Sequence, residues 1–326
     1  MKLDIEDVKD NESANSVLKE AEKEDNLVAE AADIKGVNFV TVRQRLKAYK
    51  RKPGSFLMFA LVWLAIILTI GALGFLLVYV LVRGIPNLSL DLFAWEYTTD
   101  NVSMMPALIN TILMTLLSLL IAGPVGICAA IYMVEYAKKE NKLVKVVSVT
   151  AETLTGIPSI VYGLFGMLFF VNTLKWGLSL LAGAFTLSIM VLPVIMRTTQ
   201  EALLAVPNSY REGSFGLGAG KLRTVVKVVL PSAIPGILSG IILATGRIVG
   251  ETAALIYTAG TVADLPESVF SSVRTLSVHM YSLSKEGLHM DEAYATAVVL
   301  LVVVIIINYA SETIAKKFAS KAAGIK

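Results

Sequence analysis

The chain has 326 residues, of which 55% are hydrophobic and 17% are charged, and its formal net charge is +3. Soluble domains carry about 45–50% apolar and about 25% charged residues, so this balance excludes an ordinary soluble enzyme. The apolar residues form blocks of 15 to 27 residues rather than amphipathic repeats, which indicates a polytopic membrane protein.

Six apolar blocks are candidates for membrane spans. A helix needs about 20 apolar residues to cross a bilayer core about 30 Å thick. Backbone amides in hydrocarbon must be paired within their own segment, so each block predicts a helix. The blocks are residues 56–82, 107–132, 157–171, 178–195, 234–259 and 294–310, and the short third helix can begin in the polar stretch before it. We therefore predict an all-α polytopic membrane protein with six transmembrane helices.

The basic residues between the blocks predict the orientation of the chain. The basic flank at residues 35–52, the segments after the second and fourth blocks, and the segment after the last block together hold 20 Lys and Arg residues. The alternate segments hold only 4. Because cytoplasmic loops are enriched in Lys and Arg, both termini are predicted to be cytoplasmic.

The chain divides into three predicted regions. Residues 1–55 form an N-terminal extension that ends in a basic flank, residues 56–318 form the membrane domain, and residues 319–326 form a cytoplasmic tail. The extension lacks the short basic region directly before an apolar core that marks a cleavable signal peptide. Residues 1–34 contain eleven acidic and four basic residues, so we expect a disordered segment or a solvated helix. A regulatory or partner-binding tail is the functional alternative.

The segment between the fourth and fifth blocks, residues 197–234, predicts a short helix on the cytoplasmic side. Ser209 and Glu212 fit a capping box that would begin a helix over residues 210–217. Gly218 would end this helix in the left-handed conformation.

Small residues within this helix, Gly213 and Ser214, would let another surface approach its backbone. A second helix is predicted over residues 222–230, and Pro231 is expected to end it before the chain re-enters the membrane. A short helix with a small-residue face suits docking into a groove on a partner protein.

The same segment resembles the EAA loop of ABC-importer permeases. The loop's pattern is E-A-A, three residues, G, nine residues and I-x-L-P. Glu212 matches the first position, Gly218 matches the glycine, and residues 228–231 read V-V-L-P. Three positions differ: Gly213 and Ser214 stand where the pattern has alanine, and Val228 stands where it has isoleucine. Gly213 weakens the helix by up to about 1 kcal/mol relative to alanine.

Other stretches resemble the permeases of phosphate-specific (Pst) importers. These stretches are residues 156–166, 186–199 and 250–260, and the last of them is more similar to the PstA-type subunit than to its PstC-type sister. The resemblance covers residues 107–318 and implies a type I ABC-importer permease fold with a core over residues 107–310. It also implies a multi-pass protein of a prokaryotic plasma membrane.

The resemblance implies a division of labour among several chains. The expected partners are a PstC-type sister permease, two PstB-type ATPase chains, an external PstS-type phosphate-binding protein and membrane lipid, with no nucleic acid. ATP and Mg would bind the ATPase chains, and this chain would carry no cofactor. Residues 216–221 read G-L-G-A-G-K but lack the Ser or Thr that follows the lysine of a Walker A motif, so this chain is not expected to hydrolyse ATP.

Two charged residues fall within the fifth apolar block, where a charge at mid-bilayer costs about 2.5–3.5 kcal/mol on insertion scales. Arg247 and Glu251 are four residues apart, so one continuous helix would place them on one face. They could neutralise each other, or Arg247 could bind a phosphate ion in transit while Glu251 orients it. Both interpretations remain open.

Arg197 and Glu201 have the same spacing at the end of the fourth block. An interfacial ion pair is the first interpretation, and a position of Arg197 at the exit of the pathway is the second. The single cysteine, Cys128, and two histidines, His279 and His289, predict neither a disulfide framework nor a metal site. No catalytic group is expected.

The leading hypothesis is therefore a phosphate permease subunit that couples to its ATPase through Glu212, Gly213, Ser214 and Gly218. One alternative is an ABC permease for another oxyanion, such as phosphonate, sulfate or molybdate. The other is a self-sufficient secondary transporter or channel. Secondary transporters often contain two related halves, and the sequence has no second copy of the loop motif.

Overall fold

The computed structural model of the protein describes residues 53–138 and 141–322. All regular structure in these residues is helical. The α-helices are α1 (Pro53–Gly84), α2 (Met105–Ile131), α3 (Lys142–Thr155), α4 (Ser159–Gly166), α5 (Leu180–Leu204), α6 (Asn208–Gly216), α7 (Lys221–Thr224), α8 (Leu230–Val249), α9 (Ala253–Thr258), α10 (Leu276–Glu286) and α11 (Met290–Ala322). Short 3-10 turns follow α1 at Ile85–Asn87 and Asp91–Phe93.

Three π-helical segments in the described chain extend or join the α-helices. Tyr132–Tyr136 extends α2, Met167–Thr173 extends α4, and Val225–Val229 joins α7 to α8. Most of the predicted N-terminal extension, residues 1–55, lies outside the described residues, as does the end of the predicted tail. By its internal contacts the chain divides after Phe75, within α1. The features discussed below all belong to the second unit.

Five of the six predicted spans are confirmed, and the third is divided into two pieces. Five helices of the described chain are long and apolar enough to cross a membrane, and α3 with α4 supplies a sixth if this bent pair is one span. The two pieces meet at an angle of 106°. Pro158 lies at the bend, where proline lacks an amide donor and disfavours a helical conformation at the residue before it. The cytoplasmic location of both termini stays a prediction.

The fifth span differs from the single helix predicted over residues 234–259. Helix α8 ends at Val249, and α9 begins only after a break. Within the break the Glu251 amide donates to the carbonyl of Ile248 at 3.1 Å, and the Glu251 carboxylate accepts from the amide of Ala254 at 3.0 Å. The Glu251 carboxylate thus takes the place of a backbone carbonyl as acceptor for the Ala254 amide, and a new helix begins there. Hydropathy does not detect a hydrogen bond of this kind, so the sequence predicted one continuous helix.

The predicted end of the second loop helix at Pro231 is wrong. Residues 221–249 run without interruption from α7 through the π-helical segment into α8. Proline normally disrupts a helix because it lacks a donor and its ring clashes with the carbonyl four residues earlier. Here the π segment directly precedes Pro231, and the Leu230 amide donates to the carbonyl of Val225, five residues back. This wider turn accommodates the ring without ending the helix.

Helix α5 lies at the centre of the buried core. Its residues Leu187, Met190, Val191 and Ile195 pack with side chains from α2, α4, α8 and α9 in one apolar cluster. Close contact with α8 depends on a glycine: a Cβ at Gly240 would lie 2.8 Å from Cβ of Thr198. This tight packing places the ends of the fourth and fifth spans side by side.

Candidate functional site

The predicted loop helix is present as α6, with bounds slightly earlier than expected. It spans Asn208–Gly216, and Pro207 precedes its first residue. The predicted capping box is wrong, because Ser209 lies inside the helix and no side chain caps its beginning. Pro207 occupies the N-cap position instead, with φ −57° and ψ 140°. The predicted left-handed stop is confirmed, since Gly218 has φ +82°.

The coupling residues predicted from the sequence lie on and just after α6. Glu212 and Gly213 are exposed, and a Cβ added at Gly213 would have no neighbour within 4 Å. Two large apolar side chains on the same segment, Tyr210 and Leu217, are 53% and 91% exposed. Positions 210, 213 and 217 lie on one helical face. The segment therefore presents a small apolar surface that this chain leaves uncovered.

An arginine on the opposite side of α6 attaches the helix to the rest of the molecule. The guanidinium of Arg211 donates to Oε1 of Glu135 from Nη2 at 2.7 Å and from Nε at 3.1 Å. It also donates to the carbonyls of Val206 at 2.7 Å and Leu203 at 2.9 Å. The side chains of Arg211 and Glu135 are only 14% and 8% exposed. One guanidinium thus connects α6, the end of α5 and the π-helical segment after α2.

Two weaker contacts attach the residues that follow α6. The hydroxyls of Ser214 and Thr224 lie 2.9 Å apart and connect α6 to α7. The ammonium of Lys221 lies 5.1 Å from the ring centroid of Tyr136, within the range of a cation–π interaction. Ser214, expected to keep the helix face small, is therefore also a hydrogen-bonding residue.

The break in the fifth span separates the two charged residues predicted to share a helical face. Glu251 lies beyond the end of α8, is 8% exposed, and caps α9 through the amide of Ala254. Its backbone carbonyl accepts a hydrogen bond from the hydroxyl of Ser277 at 2.6 Å, which brings the N-terminal turn of α10 against the break. Among the described residues no ion pair joins Glu251 to Arg247, so the structure does not show the mutual salt bridge that was one of the two interpretations.

Arg247 occupies the last turn of α8 and is partly buried. Its guanidinium interacts electrostatically with the hydroxyl of Tyr162 on α4. Within residues 53–138 and 141–322, no carboxylate lies within 4 Å of it and it donates no hydrogen bond. A guanidinium in this position retains its capacity to bind an anion in bidentate fashion.

Arg197 lies apart from the break, near the end of α5. Its predicted ion pair with Glu201 is confirmed at 3.2 Å, and Glu152 of α3 lies 3.8 Å from the same guanidinium. The Arg197 side chain is 54% exposed. In the described chain no hydrogen bond or ion pair connects Arg197 to Arg247 or Glu251.

A buried polar group next to α10 was not predicted from the sequence. His279 is completely buried within α10. Arg274 is 5% exposed, and its guanidinium lies 4.4 Å from the ring centroid of Tyr97. Burial, together with the nearby charge of Arg274, lowers the pKa of His279 to about 3. The imidazole is therefore neutral at physiological pH.

The sequence also did not predict the ion pair of Arg211 and Glu135, which are 76 residues apart. The available signal was an acidic residue at the end of the second apolar block. Nothing in the spacing of the chain shows which basic residue it would contact.

The chain is similar to known membrane transport proteins in both sequence and fold. Residues 122–323 match the family described as "Binding-protein-dependent transport system inner membrane component". The "Probable ABC transporter permease protein YqgI" of Bacillus subtilis (strain 168) is 34% identical over 256 residues, which are 72% of this chain and 85% of that protein.

A second relative is the "Phosphate transport system permease protein PstA" of Haemophilus influenzae. It is 32% identical over 240 residues, which are 73% of this chain and 84% of that protein. Among solved structures, a chain of the MetNI methionine ABC transporter in an inward-facing conformation aligns with a TM-score of 0.51 and 21% identity. That alignment covers 74% of this chain and 97% of the other, and it supports the ABC-importer permease fold.

Proposed function

The chain belongs to the family of inner membrane components of binding-protein-dependent transport systems, and from this premise we propose that it is a permease subunit of an ATP-driven importer of inorganic phosphate. As a permease it is a transport subunit of a membrane complex rather than an enzyme. In this proposal it forms half of the translocation pathway in a prokaryotic plasma membrane, and both of its termini are cytoplasmic.

Arg247 is the observation that carries the choice of an anionic substrate. It is partly buried at the end of a membrane helix, and the described chain offers it no carboxylate. A buried cation in a membrane protein is costly, and such residues usually mark a substrate pathway. The planar guanidinium matches two phosphate oxygens at once. Relatives named as PstA phosphate permeases favour phosphate among the oxyanions.

The roles of the other two candidates follow from their positions. Glu251 would hold the break after α8 open by capping α9, so that Arg247 faces the pathway. Arg197 is exposed at the far end of α5 and would attract anions only at the mouth of the pathway. Both roles are proposals for the chain within its complex.

Coupling to ATP hydrolysis would use the exposed face of α6. Glu212, Gly213 and Ser214 lie on α6, and Gly218 ends the segment with a left-handed turn. An exposed apolar face with no cover in this chain is typical of a docking surface. We expect α6 to dock into a groove of an ATPase chain, and ATP and Mg to bind that partner and not this one.

The proposed complex contains four kinds of chain in lipid. This subunit would pair with a PstC-type sister permease, bind two PstB-type ATPases on the cytoplasmic side, and receive phosphate from a PstS-type external binding protein. A self-sufficient secondary transporter is disfavoured, because the family consists of components of binding-protein-dependent systems. Another oxyanion remains the second candidate, because the name of the Bacillus relative YqgI gives no substrate.

Uptake by the reconstituted complex tests the proposal. The chain would be co-expressed with a PstC-type sister permease and a PstB-type ATPase, placed in proteoliposomes, and supplied with a PstS-type binding protein and ATP. We expect ATP-dependent uptake of labelled phosphate that unlabelled phosphate suppresses and that sulfate, molybdate and phosphonate do not. Suppression by one of the other oxyanions, with no uptake of phosphate, would reassign the substrate.

A further inference from the structure

Helices α6 and α7 both contact the π-helical segment Tyr132–Tyr136, which ends the second span. Arg211 from α6 contacts Glu135 in this segment, and Lys221 from α7 lies over Tyr136. We propose that the Glu135–Arg211 ion pair is the link through which movement of the docked α6 helix reaches the second span. This inference rests on the proposed function, because it names the residues that transmit what the ATPase does.

The geometry favours a rigid connection over a loose surface pair. Arg211 uses two nitrogens on one carboxylate oxygen and reaches the carbonyl of Leu203 in α5, the carbonyl of Val206 just after α5 and the side chain of Asn208, so its position is fixed by five hydrogen bonds. Little of either charged side chain is exposed, so water can replace few of these bonds. The exposed pair of Arg197 and Glu201 at the same end of α5 has neither property.

The position of the pair determines what it can transmit. Arg211 directly precedes Glu212, so a displacement of the docking face also moves the guanidinium. Its contacts lead to two membrane spans, since Leu203 belongs to the end of α5 and Glu135 to the extension of α2. The receiving segment is π-helical, a conformation that is rare in helices and frequent at functional sites. Arg211 and Glu135 are therefore positioning residues between the ATPase and the pathway.

A pair that only stabilised the fold would affect a different quantity from a pair that transmits movement. Loss of a structural pair lowers the amount of assembled complex, while each assembled complex still transports normally. Loss of a transmitting pair leaves ATP hydrolysis running with less phosphate moved per ATP. The ratio of phosphate transported to ATP hydrolysed separates the two roles.

The experiment uses the complete complex in proteoliposomes with three variants, Glu135→Gln, Arg211→Lys and the two combined. We expect the ratio to fall about three- to tenfold in each single variant, within the range of coupling changes caused by residues between two sites. In the double variant the ratio of phosphate transported to ATP hydrolysed should be no lower than in the more impaired single variant, because both changes interrupt one link. Glu312→Gln is the matched control, since Glu312 forms an exposed ion pair with Lys316 at 2.7 Å and should keep the wild-type ratio.

A second variant and a wild-type reference ensure that the experiment can contradict the proposed link. Arg211→Lys retains the positive charge next to Glu135 but loses the fork that also reaches the carbonyls of Leu203 and Val206, so it reports on the link even if Glu135→Gln does not assemble. A wild-type ratio in assembled Arg211→Lys and Glu135→Gln complexes would overturn the link alone. Absence of phosphate uptake by the wild-type complex would instead count against the proposed function.

Discussion

The carboxylate of Glu251 accepts a hydrogen bond from the backbone amide of Ala254 at 3.0 Å, and this contact begins the short helix α9 after the break in the fifth span. The same carboxylate is thereby occupied by the backbone of its own segment. Arg247, in the turn before the break, is left without a carboxylate partner in the described chain. The first prediction follows from this separation.

Arg247→Gln should leave the complex assembled but lower phosphate uptake about tenfold or more, because hydrogen bonds to a charged group contribute about 1.5–3 kcal/mol. Arg247→Lys should give a smaller loss, since lysine keeps the charge but not the bidentate fork. The measurement is labelled phosphate uptake per assembled complex. Glu251→Gln is the companion variant: its amide oxygen can still accept from Ala254, so normal assembly is expected. Unchanged uptake in Arg247→Gln would remove this residue from the pathway.

Glu212→Lys should insert and pair with the sister permease but lose its ATPase. Glu212 is exposed on α6, so reversing its charge disturbs a partner surface and not the fold of this chain. Loss of a buried charged contact at an interface costs about 2–5 kcal/mol, enough to abolish co-purification. ATPase recovery and phosphate uptake are the readouts, with Glu312→Lys on α11 as the exposed control. Normal values for both readouts in Glu212→Lys would assign the docking surface elsewhere.

Gly240→Ala should destabilise the chain because the added methyl group meets Thr198 of α5. The new Cβ would lie 2.8 Å from Cβ of Thr198, and forced overpacking of this kind costs about 1–3 kcal/mol. Thermal unfolding of the purified complex in detergent measures the loss. Gly246→Ala is the control on the same helix, since its nearest neighbour outside the helix backbone is the Asn308 side-chain oxygen at 4.0 Å. Equal unfolding temperatures for the two variants would contradict this packing of α8 on α5.

The buried His279 predicts that stability falls with acidity. Its pKa is about 3 in the folded chain, compared with a reference value of 6.5, so between these values the unfolded chain binds the proton and the folded chain does not. Its contribution to stability is therefore present above pH 6.5 and lost as the pH falls towards 3. At pH 5 the expected loss is about 2 kcal/mol relative to pH 8.

His279→Leu tests this expectation, because leucine is neutral and close to histidine in volume. Its unfolding temperature should approach that of the wild type at pH 8 and should decline less between pH 8 and pH 5. His289→Leu serves as the control: His289 is 28% exposed beside Glu292, so water can reach its imidazole in the folded chain. The same decline in wild type and His279→Leu would mean that another group causes the acid sensitivity.

Features that depend on neighbouring residues could be predicted from the sequence. The spans follow from the lengths of the apolar blocks, because each helix must pair its own backbone in hydrocarbon. The loop helix and its left-handed stop at Gly218 follow from local turn chemistry, and the Arg197–Glu201 pair follows from the spacing of four residues on a helix. Local signals also misled: the predicted capping box at Ser209 is absent because Pro207 already begins the helix.

The tertiary structure alone decided which distant groups meet. Arg211 and Glu135 are far apart in sequence, and they form a buried pair only because α5 and α2 pack side by side and bring their ends together. His279 is buried by packing from other segments, although its own stretch of sequence is polar enough for a loop. Arg247 and Glu251 show the opposite case, since a regular helix would have joined them and the cap on α9 separates them. Hydropathy and helical spacing act over a few residues, whereas these contacts depend on the arrangement of whole helices, and that arrangement places Arg211 of the docking segment against the second span.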